Sequence, residues 1–358
     1  MRIVFFGNAP VSNAAIRYRV VKFATMFESE GHECVVCLPS GPGLRERLWN
    51  RGNRWTKLAY LFLQLGRRFA QLRHVPGADV VFFRGPVFPY GPPLFERIIH
   101  AINPRMVFDI DDAIWEPPAH VDSPFLRFVD FGWVRKMSAM CAHAIVGNNH
   151  LAAYVRPLNP KLTIVPTCID MEKHRAKIYG DSEGPVVLGW TGLKNNLGHL
   201  EIIAPVLQAL AKAHPFRLSV ASGEEYHLEG VDVENHYWNI KHEIDYLANA
   251  DIGIMPLKDT PRARGKCAFK ALQHMGVGTP SVISPVGMNA EVIEDGVDGF
   301  LANTPQEWKE KLERLILEPQ LRRRMGEAAR KTVQERYSHE ANYPKIKAAF
   351  EMVAALKR

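Results

Sequence analysis

Short apolar runs alternate with helix-like segments along the first half of the chain. The runs that predict strands are Ile3–Phe6, Glu33–Leu38, Asp79–Phe83, Met106–Ile110, Ala144–Val146 and Leu162–Val165. Apolar spacing between these runs predicts helices over Ala14–Glu30, Pro93–Ile102 and His150–Val155, and the first of these helices ends at Gly31. Strands that alternate with helices in this way predict a parallel sheet covered on both faces.

The same alternation starts again at Pro185, after a polar stretch, Thr167–Gly184, that lacks periodicity and predicts a linker. The second set of predicted strands is Val186–Trp190, Arg217–Ala221, Asp251–Met255, Ser281–Ser284 and Gly299–Ala302. The helices predicted here are Leu197–Ala213, Gln306–Arg336 with a break at Pro319, and Ala341–Lys357. At 358 residues the chain is long for one core. We therefore expect an α/β protein with two doubly wound Rossmann-like domains facing a central crevice, which holds a ligand at the carboxyl ends of the strands.

The predicted domains are residues 1–175 and 176–336, followed by a C-terminal helix, 337–358, that packs back on the first domain. One segment interrupts the regular alternation. Between Arg45 and Arg73 there are eight basic residues and one acid, Glu46. An apolar stripe runs through the segment at helical spacing and consists of Leu58, Leu61, Phe62, Leu65, Phe69 and Leu72, with Trp49 and Trp55 just before it.

Two interpretations of the Arg45–Arg73 segment are open. A basic amphipathic helix with flanking tryptophans can lie in a membrane interface, attracted by anionic lipid. The same helix can pack on the sheet by its stripe, with its arginines in solvent. Binding to a single-stranded nucleic acid is disfavoured because aromatic and basic residues are not interleaved.

Composition indicates a soluble protein or one bound at a membrane surface. Hydrophobic residues make up 47% of the chain, charged residues 23%, and the net charge is +7. The apolar runs fall short of the roughly 20 residues that a membrane-spanning helix needs. The first residues, Met1–Gly7, read as a strand that ends in a glycine turn, with no signal peptide. We expect a cytoplasmic protein, either free or peripheral at the inner face of the cell membrane.

The five scattered cysteines argue against a disulfide framework. Cys34 and Cys37 form a CxxC pair, which in other settings serves redox or zinc chemistry. Both lie in a predicted strand, where residues three apart point to opposite faces. We therefore interpret them as packing residues.

The stretch from Pro261 to Gly299 predicts a phosphate site. A cationic loop with Arg262, Arg264, Gly265 and Lys266 leads directly into a helix-like run, Cys267–Gly276. A strand–loop–helix edge aims backbone N–H groups and the positive end of the helix at one place, which suits a diphosphate. Lys266 and Lys270 are four residues apart and share a helical face.

After this loop, residues Gly278–Gly287 read GTPSVISPVG, and residues 291–301 read EVIEDGVDGFL. Together with Ala250–Leu257 and the Gly31-His32 pair, these motifs resemble glycosyltransferase family 4, retaining enzymes of the GT-B fold. The resemblance implies an EC 2.4 transferase with a nucleotide-sugar donor and no metal or other cofactor. It also implies a saccharide or lipid-linked acceptor of the cell envelope, held by the first domain, while the second domain binds the donor. Nucleic acid is not an expected partner.

The sequence departs from the family at two positions. The family commonly has two glutamates eight positions apart, where this chain has Gly265 and Gln273. Gln273 can hydrogen-bond ribose hydroxyls without charge assistance. The Gly265-Lys266 and Lys270 pattern resembles a branch of the family that writes this loop as GKxxxK.

The resemblance implies donor-side residues in both domains. Lys194 and Lys266 are the predicted catalytic cations, because a leaving diphosphate needs fixed positive charge. The predicted donor-binding residues are Gly7, Gly192, Asn195, Phe269, Lys270, Gln273, Gly287, Met288, Asn289 and Glu291. The alternative for each lysine is a solvated surface charge, and for Glu291 it is charge complementarity with a helix N-terminus.

Acceptor-side residues are predicted in the first domain. Asp111 stands where the family often has a histidine near the reacting sugar, so we predict a catalytic carboxylate there. The alternatives are a divalent-cation pair with its neighbour Asp112, and a capping role. Arg17 and Arg19 are predicted to face the mouth of the crevice and bind an acceptor phosphate, with a solvated helix face as the alternative. A non-catalytic sugar-nucleotide-binding or scaffold protein is the rival function, and the replaced glutamates motivate it.

Overall fold

The computed structural model describes residues 1–50, 53–117, 124–180 and 184–357. The chain divides into two compact units. Unit 1 consists of Met1–Cys168 and Asn342–Arg358, and unit 2 is Ile169–Ala341. Part of the predicted linker, residues 181–183, and part of the basic segment, residues 51 and 52, lie outside the described residues.

Unit 1 contains a six-stranded parallel sheet. Its strands are β1 (Arg2–Gly7), β2 (Glu33–Cys37), β3 (Val80–Arg84), β4 (Met106–Ile110), β5 (His143–Val146) and β6 (Leu162–Ile164), in the order β2-β1-β3-β4-β5-β6. All six predicted strands are confirmed to within a residue at either end. The strands are rich in Val, Ile and Phe because helices cover both faces of the sheet.

The helices of unit 1 begin with one continuous run that changes pitch. It comprises α1 (Ala14–Ile16), a π-helical turn (Arg17–Val21) and α2 (Lys22–Ser29). The side chain of Asn13 accepts a hydrogen bond from Ile16 N at its start, and Gly31 has a φ of +82° after its end. The remaining helices are α3 (Pro42–Arg45), a π turn (Glu46–Asn50), α4 (Arg54–Gln71), a 3-10 turn (Leu72–His74), α5 (Leu94–Ile102), a 3-10 turn (Pro124–Phe128), α6 (Trp133–Met140) and α7 (Asn149–Val155).

Helix α4 corrects one interpretation of the basic segment. Its buried residues are Tyr60, Gln64 and Arg68, whereas Leu58 and Phe62 of the apolar stripe are exposed. The packed-stripe interpretation therefore fails for Leu58, Phe62 and Phe69, which are exposed, while the other three residues of the stripe are partly buried. Buried backbone carbonyls at the strand ends need donors, and Arg68 on the polar face of the helix supplies them, so that face turns inward.

Unit 2 contains a second six-stranded parallel sheet. Its strands are β7 (Val186–Thr191), β8 (Phe216–Ser222), β9 (Asp232–Tyr237), β10 (Ile252–Met255), β11 (Ser281–Ile283) and β12 (Phe300–Leu301), in the order β12-β11-β10-β7-β8-β9. Five of these strands were predicted. The sequence prediction missed β9, which reads DVENHY, because an edge strand that is largely solvated lacks an apolar pattern.

Helical segments follow every strand of unit 2 except β8, which leads directly into β9. They are a 3-10 run (Lys194–Ile202), α8 (Ala204–Ala211), α9 (Glu243–Ala248), α10 (Pro261–Arg264), α11 (Phe269–Val277), α12 (Asn289–Val292), α13 (Pro305–Leu317), α14 (Pro319–Thr332) and a π turn (Val333–Tyr337). The predicted single helix Leu197–Ala213 is wrong in its first half. Pro205 stands in the first turn of α8 and fits a new helix start better than a helix interior.

The last helix, α15 (His339–Ala354), starts in unit 2 and continues into unit 1. Its residues Tyr343, Ile346 and Phe350 belong to the hydrophobic core of unit 1. The Phe350 ring lies 5.1 Å from Phe27 and 5.9 Å from Phe5, measured between ring centroids. Aromatic contacts of this kind fasten the C-terminal segment to the first sheet.

Candidate functional site

The carboxyl ends of three adjacent strands in unit 2 carry most of the predicted donor-side residues. Strands β11, β10 and β7 are neighbours in the sheet, so the loops that follow them lie at one edge. Gly192 follows β7, Lys266 lies between β10 and α11, and Gly287 follows β11. The fold therefore brings these three segments to the edge where an α/β sheet binds ligands.

Lys270 and Gly192 are in direct contact at this edge. The Lys270 ammonium lies 4.5 Å from the ring centroid of Trp190. A Cβ at position 192 would lie 2.5 Å from Lys270 Nζ and 2.5 Å from the Trp190 ring. Glycine at 192 therefore leaves room for the ammonium beside the backbone, and the aromatic face gives it a favourable electrostatic contact.

The environment of Lys270 changes its acidity. Burial, together with the smaller effect of the positive charge of Lys266, lowers the pKa of Lys270 from its usual value to about 7. The charge of an incoming anion would favour the protonated amine. A bound diphosphate would therefore stabilise the positive charges of Lys266 and Lys270.

The start of α11 supplies a second source of positive potential. Ala268 precedes the helix with a φ of +51°, and it is the one non-glycine residue with positive φ in the described part of the chain. The methyl side chain of Ala268 cannot accept a hydrogen bond, so the N-cap residue itself provides no side-chain cap. Its first N–H groups and the helix dipole suit an anion. Left-handed backbone at a non-glycine residue costs about 1–2 kcal/mol, and such strain is frequent at ligand sites.

The loop after β11 packs directly on the loop before α11. Gly287 has a φ of +56°, and a Cβ there would lie 2.4 Å from the carbonyl oxygen of Arg264. Asn289 is buried and donates from Nδ2 to the carbonyl of Ser284 at 2.9 Å. Met288 is also buried. The side chains of Met288 and Asn289 therefore shape the loop, which leaves backbone groups and the exposed Glu291 as its outward-facing parts.

We expect Gly287→Ala to destabilise unit 2 by about 2–4 kcal/mol, since the new methyl group meets rigid backbone and the φ is left-handed. Chemical denaturation of the two proteins measures the difference in the free energy of unfolding. Gly180→Ala is the matched control, because a Cβ at position 180 meets nothing within 4 Å. Equal stability of the Gly287 and Gly180 variants would contradict the close approach of the two loops.

Lys194 and Asn195 lie at the start of the 3-10 run and are exposed. Lys194 donates to Glu224 at 2.9 Å, and both side chains are more than half exposed. An exposed ion pair of this kind is weak and can exchange partners. To act on a donor as predicted, Lys194 must therefore release Glu224 and change its side-chain conformation.

Gln273 points into the protein and is 3% exposed. Its Nε2, and both ring nitrogens of the next residue, His274, have no hydrogen-bond partner within the described ranges. Burial lowers the pKa of His274 to about 3, with Lys177 and Lys270 acting in the same direction, so this imidazole is neutral at physiological pH. Phe269, one helical turn before Gln273, is partly buried at the start of α11.

A cavity of about 720 Å³ lies elsewhere in unit 2 and does not contain these residues. Lys177, Arg217 and Arg322 line it together with Asp251, which precedes β10. It therefore lies toward the amino ends of the strands. Lys177 Nζ donates to Ala250 O at 2.6 Å, so this cation already fastens the structure there.

In unit 1 the position of Arg19 differs from the prediction. We expected it to face an opening beside Arg17, but its side chain is 1% exposed. Arg19 makes a bidentate ion pair with Asp109 and donates to Val165 O at 3.0 Å. The π-helical turn places Arg19 over the sheet, where the buried carboxylate requires a partner. Arg17 is partly exposed and donates to Ser12 O at 2.8 Å.

Asp111 lies at the end of the same charge chain. It is paired with Arg84, which ends β3, and Arg84 Nε also lies 3.6 Å from Asp109 Oδ2. Arg84 was missed in the sequence, although an arginine that closes an otherwise apolar strand is a usable signal. Within the described ranges no group of three His, Cys, Asp or Glu side chains is placed to hold a metal ion.

Gly7 ends β1 in a tightly packed place. A Cβ there would lie 2.6 Å from Leu38 Cδ2 and 2.7 Å from Ile16 Cδ1. Its carbonyl accepts a hydrogen bond from Arg68 Nη2 at 2.6 Å. The glycine is therefore explained by packing, and its predicted contact with a donor stays a prediction.

Comparison with solved structures identifies the fold. The chain matches sucrose-phosphate synthase from Thermosynechococcus elongatus with a TM-score of 0.70 and 13% identity, over 99% of both chains. It matches Anabaena HepE in complex with UDP-glucose with a TM-score of 0.69 and 15% identity, over 98% of this chain and 100% of the other. The chain has the GT-B fold. The catalytic domain of starch synthase IV from Arabidopsis thaliana, bound to ADP and acarbose, matches with a TM-score of 0.70 and 11% identity, over 99% and 100%.

The sequence comparison reaches one part of this GT-B chain. A family model described as Glycosyl transferases group 1 matches residues 185–318, which lie within unit 2. No curated protein sequence matches. The matched residues include Gly192, Lys266, Lys270 and Gly287, so the match covers the candidate site of unit 2. The specific assignment to family 4 stays a prediction.

Proposed function

We propose that this protein is a glycosyltransferase that takes a sugar from a nucleotide-sugar donor and transfers it to a saccharide or lipid-linked acceptor of the cell envelope. The observation that carries the proposal is the cationic edge of unit 2. There the Lys270 ammonium, the Gly192 backbone and the start of α11 meet. This arrangement offers a diphosphate both fixed charge and backbone donors.

Three further observations support the donor class. The group 1 glycosyl transferase model covers this edge of unit 2. HepE, which has the same fold, was crystallised with UDP-glucose, and starch synthase IV with ADP. A diphosphate is common to those ligands, so the phosphate-binding part of the site is the part we transfer to this chain.

In the transfer, the acceptor hydroxyl oxygen bonds to the anomeric carbon while the bond between that carbon and the diphosphate breaks, and the hydroxyl proton passes to the leaving diphosphate. Negative charge grows on the diphosphate oxygens during this step, so the leaving group needs stabilisation. In our proposal Lys270 and Lys266 neutralise that charge, with Lys194 reaching the outer phosphate after it leaves Glu224. We also propose retention of anomeric configuration, independence from metal, and Asp111, held by Arg84, beside the acceptor.

A thermal-shift screen over nucleotide sugars tests the donor. A donor present at 100 times its dissociation constant stabilises the bound protein by about 2.7 kcal/mol. For a unit of this size each kcal/mol raises Tm by about 2–4 °C. We expect such a shift with a nucleotide sugar and with its nucleoside diphosphate. Free sugar is the control, and it should give no comparable shift.

The outcome also separates an enzyme from a non-catalytic binder. Gly265 and the buried Gln273 stand where the resembled family has glutamates, and this motivates the binder as the second candidate. Slow hydrolysis of the stabilising nucleotide sugar supports the enzyme. A clear shift with no hydrolysis and no transfer to any acceptor would favour the binder, and the absence of any shift would exclude both.

A further inference from the structure

Helix α4 is inverted relative to an ordinary surface helix, because its polar side faces inward. Arg68 Nη2 donates to Gly7 O at 2.6 Å and Arg68 Nη1 donates to Cys37 O at 3.2 Å. Gln64 accepts from Ser40 N at 3.0 Å. Arg67 Nε reaches Leu38 O at 3.0 Å. The helix is therefore anchored to the ends of β1 and β2 by hydrogen bonds.

The opposite side of α4 is apolar and exposed. Its large side chains are Trp55 at 66% exposure, Leu58 at 44%, Phe62 at 65%, Leu63 at 54% and Phe69 at 52%. Helical geometry places the exposed small residues Ala59, Gly66 and Ala70 among them. We call this set the outer face of α4. It spans Trp55–Ala70, about 24 Å at 1.5 Å per residue, and the charged residues Arg54 and Arg67 lie on its flanks.

Neighbouring elements extend the apolar surface. The rings of Phe69 and Phe95 lie 4.9 Å apart, which places α5 directly beside α4. On α5, Leu94, Ile98 and Ile102 are exposed at a spacing of four residues. Single exposed apolar side chains are ordinary, but a continuous face of this length on a stable helix indicates a binding surface.

The charges around the outer face indicate which kind of partner binds there. The stretch from Arg54 to His74 contains no Asp or Glu. Its basic residues include Arg54, Lys57, Arg67 and Arg73. A second copy docked about a twofold axis would set these like charges against one another. An anionic lipid surface would accept both the apolar residues and the basic flanks. Trp55, which lies under the Arg54 guanidinium at 5.2 Å, is the residue type that favours a membrane–water interface.

We propose that the outer face of α4 inserts into the headgroup region of an anionic membrane and holds unit 1 at its surface. Within the described ranges no helix is long and apolar enough to cross a membrane, so the attachment is to one face. The inference stands on α4 alone and does not depend on the proposed sugar transfer. If both hold, the enzyme works where a lipid-linked acceptor resides.

Flotation with vesicles tests the proposal. The wild-type protein is mixed with vesicles of phosphatidylcholine alone, or with about one third phosphatidylglycerol. We expect binding to the anionic vesicles, weaker binding to neutral ones, and a decrease as salt rises. The variant Phe62→Ser/Leu63→Ser should lose binding at least tenfold, because both side chains are exposed and lie on the outer face.

Two controls make the result specific. Leu317→Ser/Met352→Ser removes two side chains of similar exposure outside the outer face and should bind like wild type. Arg54→Gln/Arg73→Gln should weaken binding to anionic vesicles and leave binding to neutral ones unchanged. Thermal melts establish that each variant is folded. The nucleotide-sugar shift of Phe62→Ser/Leu63→Ser should equal that of wild type, which separates this proposal from the proposed function.

Three results would overturn the proposal. The first is no binding of the wild-type protein to anionic vesicles. The second is equal binding of Phe62→Ser/Leu63→Ser and wild type. The third is a wild-type dimer that the same variant converts to a monomer while neither form binds lipid, which would assign the face to a second copy.

Discussion

Replacing Lys270 with Met is expected to lower kcat/KM for a nucleotide sugar by about 10²–10³-fold, the usual cost of removing one fixed group that stabilises developing negative charge. The protein should nevertheless melt no lower than wild type at neutral pH. Lys270 has an ammonium in a site that disfavours charge, and a Met side chain can keep the contact with Trp190. Steady-state kinetics and a melting curve on the same sample check both parts.

The pH dependence follows from the lowered pKa of Lys270, about 7. In the free protein the amine is charged below this pH and neutral above it, so the KM for the donor should rise as pH increases through 7. The Met variant should lose this dependence. The free energy of unfolding changes with pH in the opposite sense to donor affinity. It rises with pH, because the pKa of Lys270 is lower in the folded protein than in the unfolded chain. The burial penalty is full below pH 7 and disappears as pH rises toward 10.5, so the stability gain of the Met variant should shrink over that range.

Lys309→Met is the matched control, since Lys309 is exposed on α13 in the same unit. It should change neither kcat/KM nor the pH profile. A Lys270→Met protein with wild-type kcat/KM would show that the amine does not act on the diphosphate. A variant that loses activity and also melts far lower would instead show that Lys270 acts by holding the fold together.

The sequence was sufficient for the regular part of this fold. Strands such as Met106–Ile110 are continuous apolar runs, because both faces of a parallel sheet are covered, and their ends could be read to within a residue. The shape of the loop after β11 was readable for a similar reason. Gly287 is required by the backbone of Arg264, so the motif reports a steric constraint that any sequence with this loop must meet.

The sequence did not show which side of an amphipathic helix, or which arginine side chain, is buried in the fold. An apolar stripe at helical spacing is typical of a packed face, but the buried side chains of α4 are polar. Gln64 accepts from a backbone N–H, and Arg68 donates to backbone carbonyls at the strand ends. Arg19 shows the reverse error. Its position near a helix start predicted an accessible side chain at the mouth of the crevice. Its partner Asp109 is 90 residues away in the chain, so the burial of the pair could not be read locally.

The Arg19–Asp109 pair carries the largest expected effect on stability. Arg19→Met should lower the free energy of unfolding of unit 1 by about 3–5 kcal/mol, because it leaves a carboxylate with 1% exposure short of its bidentate partner. Arg84 Nε, at 3.6 Å from Asp109, is too far away to replace the lost hydrogen bonds. Urea denaturation, followed by a probe in unit 1, measures the loss.

The double variant Arg19→Met/Asp109→Leu should be more stable than Arg19→Met alone, since apolar replacement of both partners removes the buried charge. Arg17→Met is the matched control on the same helical run and should cost less than about 1 kcal/mol, because Arg17 is only partly buried. If Arg19→Met proved as stable as Arg17→Met, the guanidinium would not be buried against Asp109. Arg19 would then be accessible to the acceptor, as the sequence predicted. In that case Arg19→Met and Arg17→Met should both raise the KM for the acceptor.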